Sequence, residues 1–213
     1  MRVDIWSDIV CPWCYVGKRR FETALKQFEH RADVQVLHHA FQLNPAAPRH
    51  ETSNRREMLM RKYRLSPEQA AEMDARMTET AAAEGLTFHL DGTLTGNTLD
   101  AHQLVHLGLE RGRQDAIVER LFRAYFTEQR SIFDPASLVP LAIDAGLDPE
   151  EAAATLDENR YADTVIADID VARRLGVSGV PFFVFDERYG VSGAQSPDVF
   201  LDVFARTHHS VGA

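Results

Sequence analysis

The feature that most constrains this chain is the tetrapeptide Cys11-Pro12-Trp13-Cys14, which contains the only two cysteines among the 213 residues. Two thiols separated by two residues can close into a small disulfide ring or pass that disulfide to another molecule. Because the chain has no third cysteine, no structural disulfide elsewhere competes with this interpretation. The same spacing can supply half of a zinc site, so the surrounding sequence must favour one chemistry over the other.

The residues around the dithiol predict a β-α-β unit with the thiols at the start of the helix. Val3–Trp6 has the character of a short strand, and a helix is expected from about Cys11. Pro12 then falls in the first helical turn, where a missing N–H costs nothing. The helix is expected to end near His30, and residues 33–41 form an apolar run of strand length. A C-x-x-C motif in a β-α context is the pattern associated with thioredoxin-like redox sites.

The middle of the chain predicts helices throughout, because helix start and stop signals recur there. The start signals combine an N-cap residue with a proline in the first turn, and they lie at Ser66-Pro67, Asp134-Pro135 and Asp148-Pro149. The stop signals are glycines, at Gly85, Gly112, Gly146 and Gly176.

The end of the chain changes character and predicts a β-β-α unit. An apolar strand is expected over residues 180–185, a short strand over 191–193 and a final helix from Ser196. Together the two ends complete a thioredoxin-type sheet. We therefore expect an α/β protein in which residues 1–45 and 178–213 form a thioredoxin-like domain and residues 46–177 form an inserted helical domain.

The composition disfavours two classes of partner. The net charge is −9, whereas nucleic-acid-binding surfaces are basic, so no nucleic acid is expected. No stretch approaches the roughly 20 apolar residues needed to cross a membrane, and the N-terminus lacks the pattern of a signal peptide. We therefore expect a cytoplasmic protein that does not enter a membrane. In that compartment a C-x-x-C motif is more often catalytic or metal-binding than structural.

Four motifs, in order along nearly the whole chain, resemble those of the DsbA-like oxidoreductases of the FrnE type. They are Ser7-Asp8-x-x-Cys11-Pro12-Trp13-Cys14-Tyr15-x-Gly17, Phe41-x-Leu43-Asn44-Pro45, Asn97-Thr98-x-x-Ala101-His102, and Val177-x-Gly179-Val180-Pro181-Phe182-Phe183 with Gly193-Ala194-Gln195 behind it. The same superfamily contains 2-hydroxychromene-2-carboxylate isomerases and kappa-class glutathione transferases, which usually carry serine in place of the first cysteine. Both cysteines are present here, which favours redox chemistry.

The position of the dithiol assigns different roles to its two cysteines. A helix N-terminus favours a negative sulfur, so Cys11 is expected to be the attacking nucleophile, with an exposed sulfur. Cys14 lies one turn further in and is expected to be more buried and to resolve the mixed disulfide. Pro12 and Trp13 occupy the positions that tune the redox potential among relatives and are expected to contact substrate. Because neither is histidine or lysine, we expect a less oxidising site than in relatives with a histidine there.

The resemblance implies further residues of the site. Val180 and Pro181 correspond to a cis-proline loop facing the dithiol, where the Val180 backbone would pair with an extended substrate segment; the alternative is a proline at the start of an edge strand. Asn97 and His102 match the motif of the helical insert and are candidate substrate-binding residues. The alternative for Asn97 is a helix cap, and for His102 a core or surface histidine. Asp8 is expected to cap the helix or to help move a proton.

Zinc binding is the less favoured interpretation of the cysteine pair. A structural zinc site usually has four ligands, and the remaining two would have to be histidines such as His38-His39 or His208-His209. Adjacent residues on a strand point to opposite faces, which makes His38-His39 a poor chelating pair. We therefore expect no metal at the site.

These observations favour a thiol–disulfide oxidoreductase or isomerase that acts on protein thiols and disulfides or on glutathione. No bound cofactor is expected, with glutathione as a candidate co-substrate. One alternative is a glutathione-dependent isomerase or transferase of the same superfamily, and the other is a redox-regulated binding or holdase protein. The sequence leaves the physiological substrate, the redox direction and the choice between monomer and homodimer open.

Overall fold

The structure, a computed structural model, describes residues 1–209, without the side chain of residue 209. The last part of the predicted domain range 178–213 therefore lies outside the described residues. The strands and helices, in chain order, are β1 (Arg2–Ser7), α1 (Pro12–Gln27), a 3-10 turn (Arg31–Asp33), β2 (Gln35–Ala40), β3 (Thr52–Asn54), α2 (Arg55–Tyr63), α3 (Pro67–Ala83), β4 (Leu94–Gly96), α4 (Leu99–Glu110), α5 (Gln114–Phe126), α6 (Pro135–Asp144), α7 (Pro149–Asp157), α8 (Ala162–Arg174), β5 (Phe182–Phe185), β6 (Tyr189–Ser192) and α9 (Pro197–His209).

The chain forms two compact units, one made of residues 1–43 and 166 onwards, and one made of residues 44–165. The second boundary falls inside α8, whereas the sequence placed it between residues 177 and 178. The reason is that Ala172 of α8 and Val177, which follows the helix, pack against Trp6 of β1. The C-terminal part of this helix and the turn that follows therefore belong with the sheet.

The first unit contains a four-stranded sheet with the order β2-β1-β5-β6. β1 runs parallel to β2, with Ile5 opposite His38, and antiparallel to β5, with Trp6 opposite Phe182. β6 pairs antiparallel with β5. The predicted β-α-β and β-β-α units thus share one sheet, with α1 as the crossover between the two parallel strands. Its dithiol end follows directly after the carboxyl end of β1.

The two faces of β1 bury different side chains, as the alternation of a strand requires. Val3 and Ile5 face an aromatic core formed with α1 and α9, in which Phe21 stacks on Phe183 at 5.5 Å between ring centroids. Asp4 and Trp6 point to the other face, where Trp6 packs with residues of α8. Val3 and Ile5 therefore face an apolar core, while the other face of β1 contains the buried carboxylate of Asp4.

The second unit contains six helices and a small sheet among its described residues. The predicted start signals are confirmed. At α3 the Ser66 hydroxyl accepts from Gln69 N and the Gln69 side chain accepts from Ser66 N. Asp134 and Asp148 cap α6 and α7, with Pro135 and Pro149 in first-turn positions. The prediction of a wholly helical middle is wrong, because β3 and β4 pair antiparallel. These three-residue strands are too short to produce a periodic pattern.

Candidate active site

The dithiol lies at the junction between β1 and α1. Cys11 is the N-cap residue, in extended backbone conformation, and Pro12 is the first helical residue. The backbone N–H of Cys11 donates to Asp8 O at 3.0 Å, which closes the turn before the helix, and Cys14 N donates to Cys11 O at 3.0 Å. Both cysteines are free thiols in this structure. The predicted start of the helix is confirmed, and it places both sulfurs within its first turn.

Both thiols are buried, which corrects the expectation of an exposed Cys11 sulfur. The exposed fraction is 5% for Cys11 and 2% for Cys14. The Cys11 thiol donates to the carbonyl oxygen of Val180 at 3.5 Å, an acceptor that lies far away in the sequence. Cys11 is therefore held in a specific orientation rather than open to solvent.

The environment of Cys14 favours its protonated form. Burial raises the pKa of the Cys14 thiol well above its ordinary value, and the interaction with Cys11 raises it further. The backbone of Asp8 acts in the opposite direction, while the charge of the Asp8 carboxylate adds to the rise. Cys14 is thus a neutral thiol at neutral pH. This suits a resolving cysteine, which must not attack until a mixed disulfide has formed beside it.

The loop opposite the dithiol contains a cis peptide bond between Val180 and Pro181, which confirms that expectation. Gly17, on the second turn of α1, allows this loop to approach the helix: a Cβ at Gly17 would meet Pro181 Cγ at 2.8 Å and Ala194 Cβ at 3.4 Å. Gly193 N donates to Pro181 O at 2.8 Å. The predicted motifs around residues 11–17, 180–183 and 193–195 are therefore neighbours in space.

Basic residues on α1 support the same arrangement, although their run in the sequence suggests only a solvated helix face. Arg20 donates to Ala194 O at 2.7 Å and so fastens the loop after β6 to the helix. Lys18 is buried and pairs with Glu22, four residues later. No local sequence signal separates these two residues from ordinary surface cations.

The remaining residues of the first predicted motif divide between surface and interior. Trp13 is 47% exposed beside the thiols, whereas Tyr15 is buried. Asp8 is also buried, and one of its carboxylate oxygens accepts from Leu43 N at 2.7 Å. Asp8 therefore ties the segment after β2 to the turn that precedes Cys11.

Asn97 and His102 lie in the second unit. The Asn97 side chain donates to Ala47 O at 2.7 Å and accepts from Leu99 N at 2.9 Å. It therefore has a structural role beside the start of α4, from one position before the N-cap residue Thr98, so Asn97 is not itself the N-cap. His102 is buried on α4. A substrate-binding role for these two residues stays a prediction.

An ionic network that no sequence motif predicts lies on the face of the sheet that is packed against α8. His39 Nε2 contacts Asp4 Oδ1 at 2.6 Å, and His39 Nδ1 contacts Asp168 Oδ1 at 2.9 Å. Burial opposes the charge of His39, but the hydrogen bonds to the two carboxylates and their charges outweigh it and raise the pKa of His39 to about 9. The signal available in the sequence was Asp4, a charged residue inside an otherwise apolar strand.

The described part of the chain can be compared with the predictions about a metal site and about a membrane. Among residues 1–209, no three His, Cys, Asp or Glu side chains are grouped so that they could hold a metal ion. His208 stacks on His30 at 3.9 Å between ring centroids, and the side chain of residue 209 lies outside the described residues. None of the described helices combines the length and apolarity that crossing a membrane requires.

The sheet order, the C-x-x-C motif at the start of α1 and the proline loop beside it define the thioredoxin-fold class of disulfide oxidoreductases and isomerases. A model of the DSBA-like thioredoxin domain matches residues 2–205. The chain therefore belongs to the DSBA-like thioredoxin domain family. The predicted fold, a thioredoxin fold with an inserted helical domain, and the DsbA-like resemblance are both confirmed.

Individual relatives agree with this assignment. The probable DsbA oxidoreductase SCO1869 from Streptomyces coelicolor is 47% identical, with a TM-score of 0.94 over 98% of this chain and 90% of that chain. The uncharacterized protein YwbO of Bacillus subtilis (strain 168) is 26% identical over 203 residues, which are 94% of each protein. The cytosolic disulfide reductase DsbM from Pseudomonas aeruginosa, in a structure with GSH, shares the fold with a TM-score of 0.67 at 16% identity, over 98% of this chain and all (100%) of that chain.

Proposed function

We propose that this protein is a cytoplasmic thiol–disulfide oxidoreductase that cycles Cys11 and Cys14 between dithiol and disulfide, with protein disulfides as substrates. The observation that carries the proposal is the pair of free thiols in the first turn of α1, with the Val180 carbonyl against the Cys11 sulfur. This geometry supports attack on the substrate by the Cys11 sulfur, followed by attack of the Cys14 sulfur on the mixed disulfide.

In the reducing direction, the Cys11 thiolate attacks one sulfur of a substrate disulfide. The substrate S–S bond breaks, a Cys11–substrate disulfide forms, and the first substrate sulfur leaves and takes up a proton. Cys14 then gives up its proton and attacks the Cys11 sulfur, which releases the second substrate sulfur as a thiol. The raised pKa of Cys14 keeps it protonated during the first step. The substrate gains two electrons, and the protein ends as the Cys11–Cys14 disulfide.

A second reaction must return the disulfide to the dithiol. Two molecules of glutathione can do this, since they supply two electrons and leave as glutathione disulfide. The use of glutathione as co-substrate is part of the proposal, and DsbM, which has the same fold, is described with GSH. The exposed Trp13 offers an apolar surface beside the thiols for the incoming substrate.

The test is insulin reduction with glutathione as electron donor, in the wild type, Cys11→Ser and Cys14→Ser. We expect turnover in the wild type only, and a mixed disulfide with substrate that accumulates on Cys11 in Cys14→Ser. Turnover that survives in Cys11→Ser would contradict the proposal. Glutathione-dependent conversion of an aromatic substrate in that variant would support an isomerase instead, and suppression of aggregation without any turnover would support a binding protein.

Natural substrates can be sought with the same variant. Cys14→Ser expressed in cells is expected to retain partners through mixed disulfides on Cys11, whereas the double variant Cys11→Ser/Cys14→Ser retains none. Partners retained equally by both would be bound without disulfide exchange and would count against the proposal.

A further inference from the structure

The ionic network around His39 connects three elements of the first unit, the one with the four-stranded sheet. Asp4 lies on β1, His39 on β2 and Asp168 on α8, and His39 contacts both carboxylates. Asp168 also accepts from the backbone N–H of Ala40 through its second carboxylate oxygen, at 2.8 Å. The carboxylate of Asp168 therefore attaches α8 to the edge of β2 at two points.

Trp6 continues this network toward the site. Its ring stacks on His39 at 4.6 Å between centroids, and its indole N–H donates to the backbone oxygen of Asp168 at 3.1 Å. The apolar cluster formed by Trp6, Ala172 and Val177 has Val180 packed against it. The backbone of Trp6 is also paired in register with Phe182, two residues after Val180.

Val180 is the residue whose carbonyl oxygen receives the Cys11 thiol. A continuous set of contacts therefore runs from the charged pair His39–Asp168, through Trp6 and its cluster, to the acceptor of the reactive sulfur. His39 and its two carboxylates are partners for one another, and the removal of one partner from such a buried set is destabilising, so these contacts favour one arrangement of α8 against β1 and β2.

We infer that His39 and Asp168 are positioning residues for the dithiol, which hold the Val180 carbonyl against Cys11 and thereby set the equilibrium between dithiol and disulfide. The inference rests on the proposed function, in which that equilibrium is part of the catalytic cycle. Neither residue touches substrate or the reacting sulfurs, and both act through Trp6 and Val180.

The physical reason is that the bond from Cys11 to Val180 exists in only one redox state. A thiol has a proton to donate, weakly, and a disulfide has none. A well-placed Val180 carbonyl therefore stabilises the dithiol form relative to the disulfide. Loosening the network removes part of one weak hydrogen bond, which corresponds to a change of about threefold in the equilibrium constant toward the disulfide.

The experiment is an equilibrium titration of the protein with glutathione and glutathione disulfide, read out by the fraction of thiol that reacts with a mass-tagged alkylating agent. The variants are His39→Gln and Asp168→Asn, with Trp6→Phe, which lacks the indole N–H but keeps an aromatic ring. The control is Asp170→Asn on the same helix, which removes an exposed carboxylate paired with Arg173. We expect about a threefold shift toward the disulfide in all three network variants and none in the control.

The choice of variants separates positioning from other effects. His39→Gln removes a positive charge and Asp168→Asn removes a negative one, so a purely electrostatic influence would shift the constant in opposite directions, and that result would overturn the inference. A merely structural role lowers the stability of the dithiol and disulfide forms alike and leaves the constant unchanged. Folded variants with the wild-type constant would therefore also overturn it. Wild-type protein that does not oxidise reversibly would instead refute the proposed function itself.

Discussion

The protonated state of His39 predicts a specific dependence of stability on pH. His39 is 18% exposed, and its pKa is raised from 6.5 to about 9 because the hydrogen bonds to Asp168 and Asp4 outweigh the opposing effect of burial. Arg2 is the cation that also contacts this cluster, through Asp4. A rise of this size corresponds to about 3 kcal/mol of preference for the protonated form in the folded state.

The sign of the effect follows from proton linkage. The folded state keeps the His39 proton at pH values where the unfolded state has lost it, so stability falls as the pH rises. The contribution of His39 is fully present below about pH 6.5 and is lost as the pH passes through about 9. Replacement by glutamine, which does not titrate, removes this loss. The difference in unfolding free energy between wild type and His39→Gln is therefore expected to shrink by about 3 kcal/mol across that window.

The assay is urea unfolding at a series of pH values, followed by tryptophan fluorescence. The chain has two tryptophans, Trp6 and Trp13. Both lie in the first unit, so the fluorescence reports on the unit that contains His39. Asp170→Asn serves as the control and is expected to keep the wild-type slope. A wild type and a His39→Gln variant with parallel curves between pH 6.5 and 9 would refute the protonated, doubly hydrogen-bonded state of His39.

Two further predictions concern the immediate surroundings of the thiols. Gly17→Ala places a methyl group 2.8 Å from Pro181 Cγ, so we expect a melting temperature several degrees lower and insulin reduction several-fold slower. Gly179→Ala is the control, because an added Cβ there meets nothing within 4 Å. Equal effects in the two variants would contradict this reasoning. The burial that raises the pKa of Cys14 predicts that its thiolate absorbance in Cys11→Ser appears only at strongly alkaline pH, and an ordinary thiol titration there would show the prediction to be wrong.

The features that the sequence predicted well are those that neighbouring residues decide. The start of α1 at Pro12 and the caps at Ser66, Asp134 and Asp148 depend on hydrogen bonds within a single turn, and they are found where expected. The cis bond before Pro181 came from the resemblance to a family rather than from spacing.

The features that the sequence predicted poorly depend on pairs of residues far apart in the chain. β3 and β4 are three residues each, and the two helices α2 and α3 separate them in the chain. The boundary inside α8 arises from packing of Ala172 and Val177 on Trp6, and no composition change marks it. A short strand or a helix surface carries no local sign of its eventual partner.

The dithiol shows most clearly which features depend on neighbouring residues and which depend on distant ones. The sequence by itself determined that Cys11 and Cys14 lie in the first turn of a helix after a strand, because a strand, a C-x-x-C motif and a first-turn proline are local properties. Only the tertiary structure decided that Cys11 is buried against the Val180 carbonyl. The tertiary structure also decided that His39 is held between Asp4 and Asp168. These contacts depend on strand register and on the packing of α8, which are set when distant segments meet.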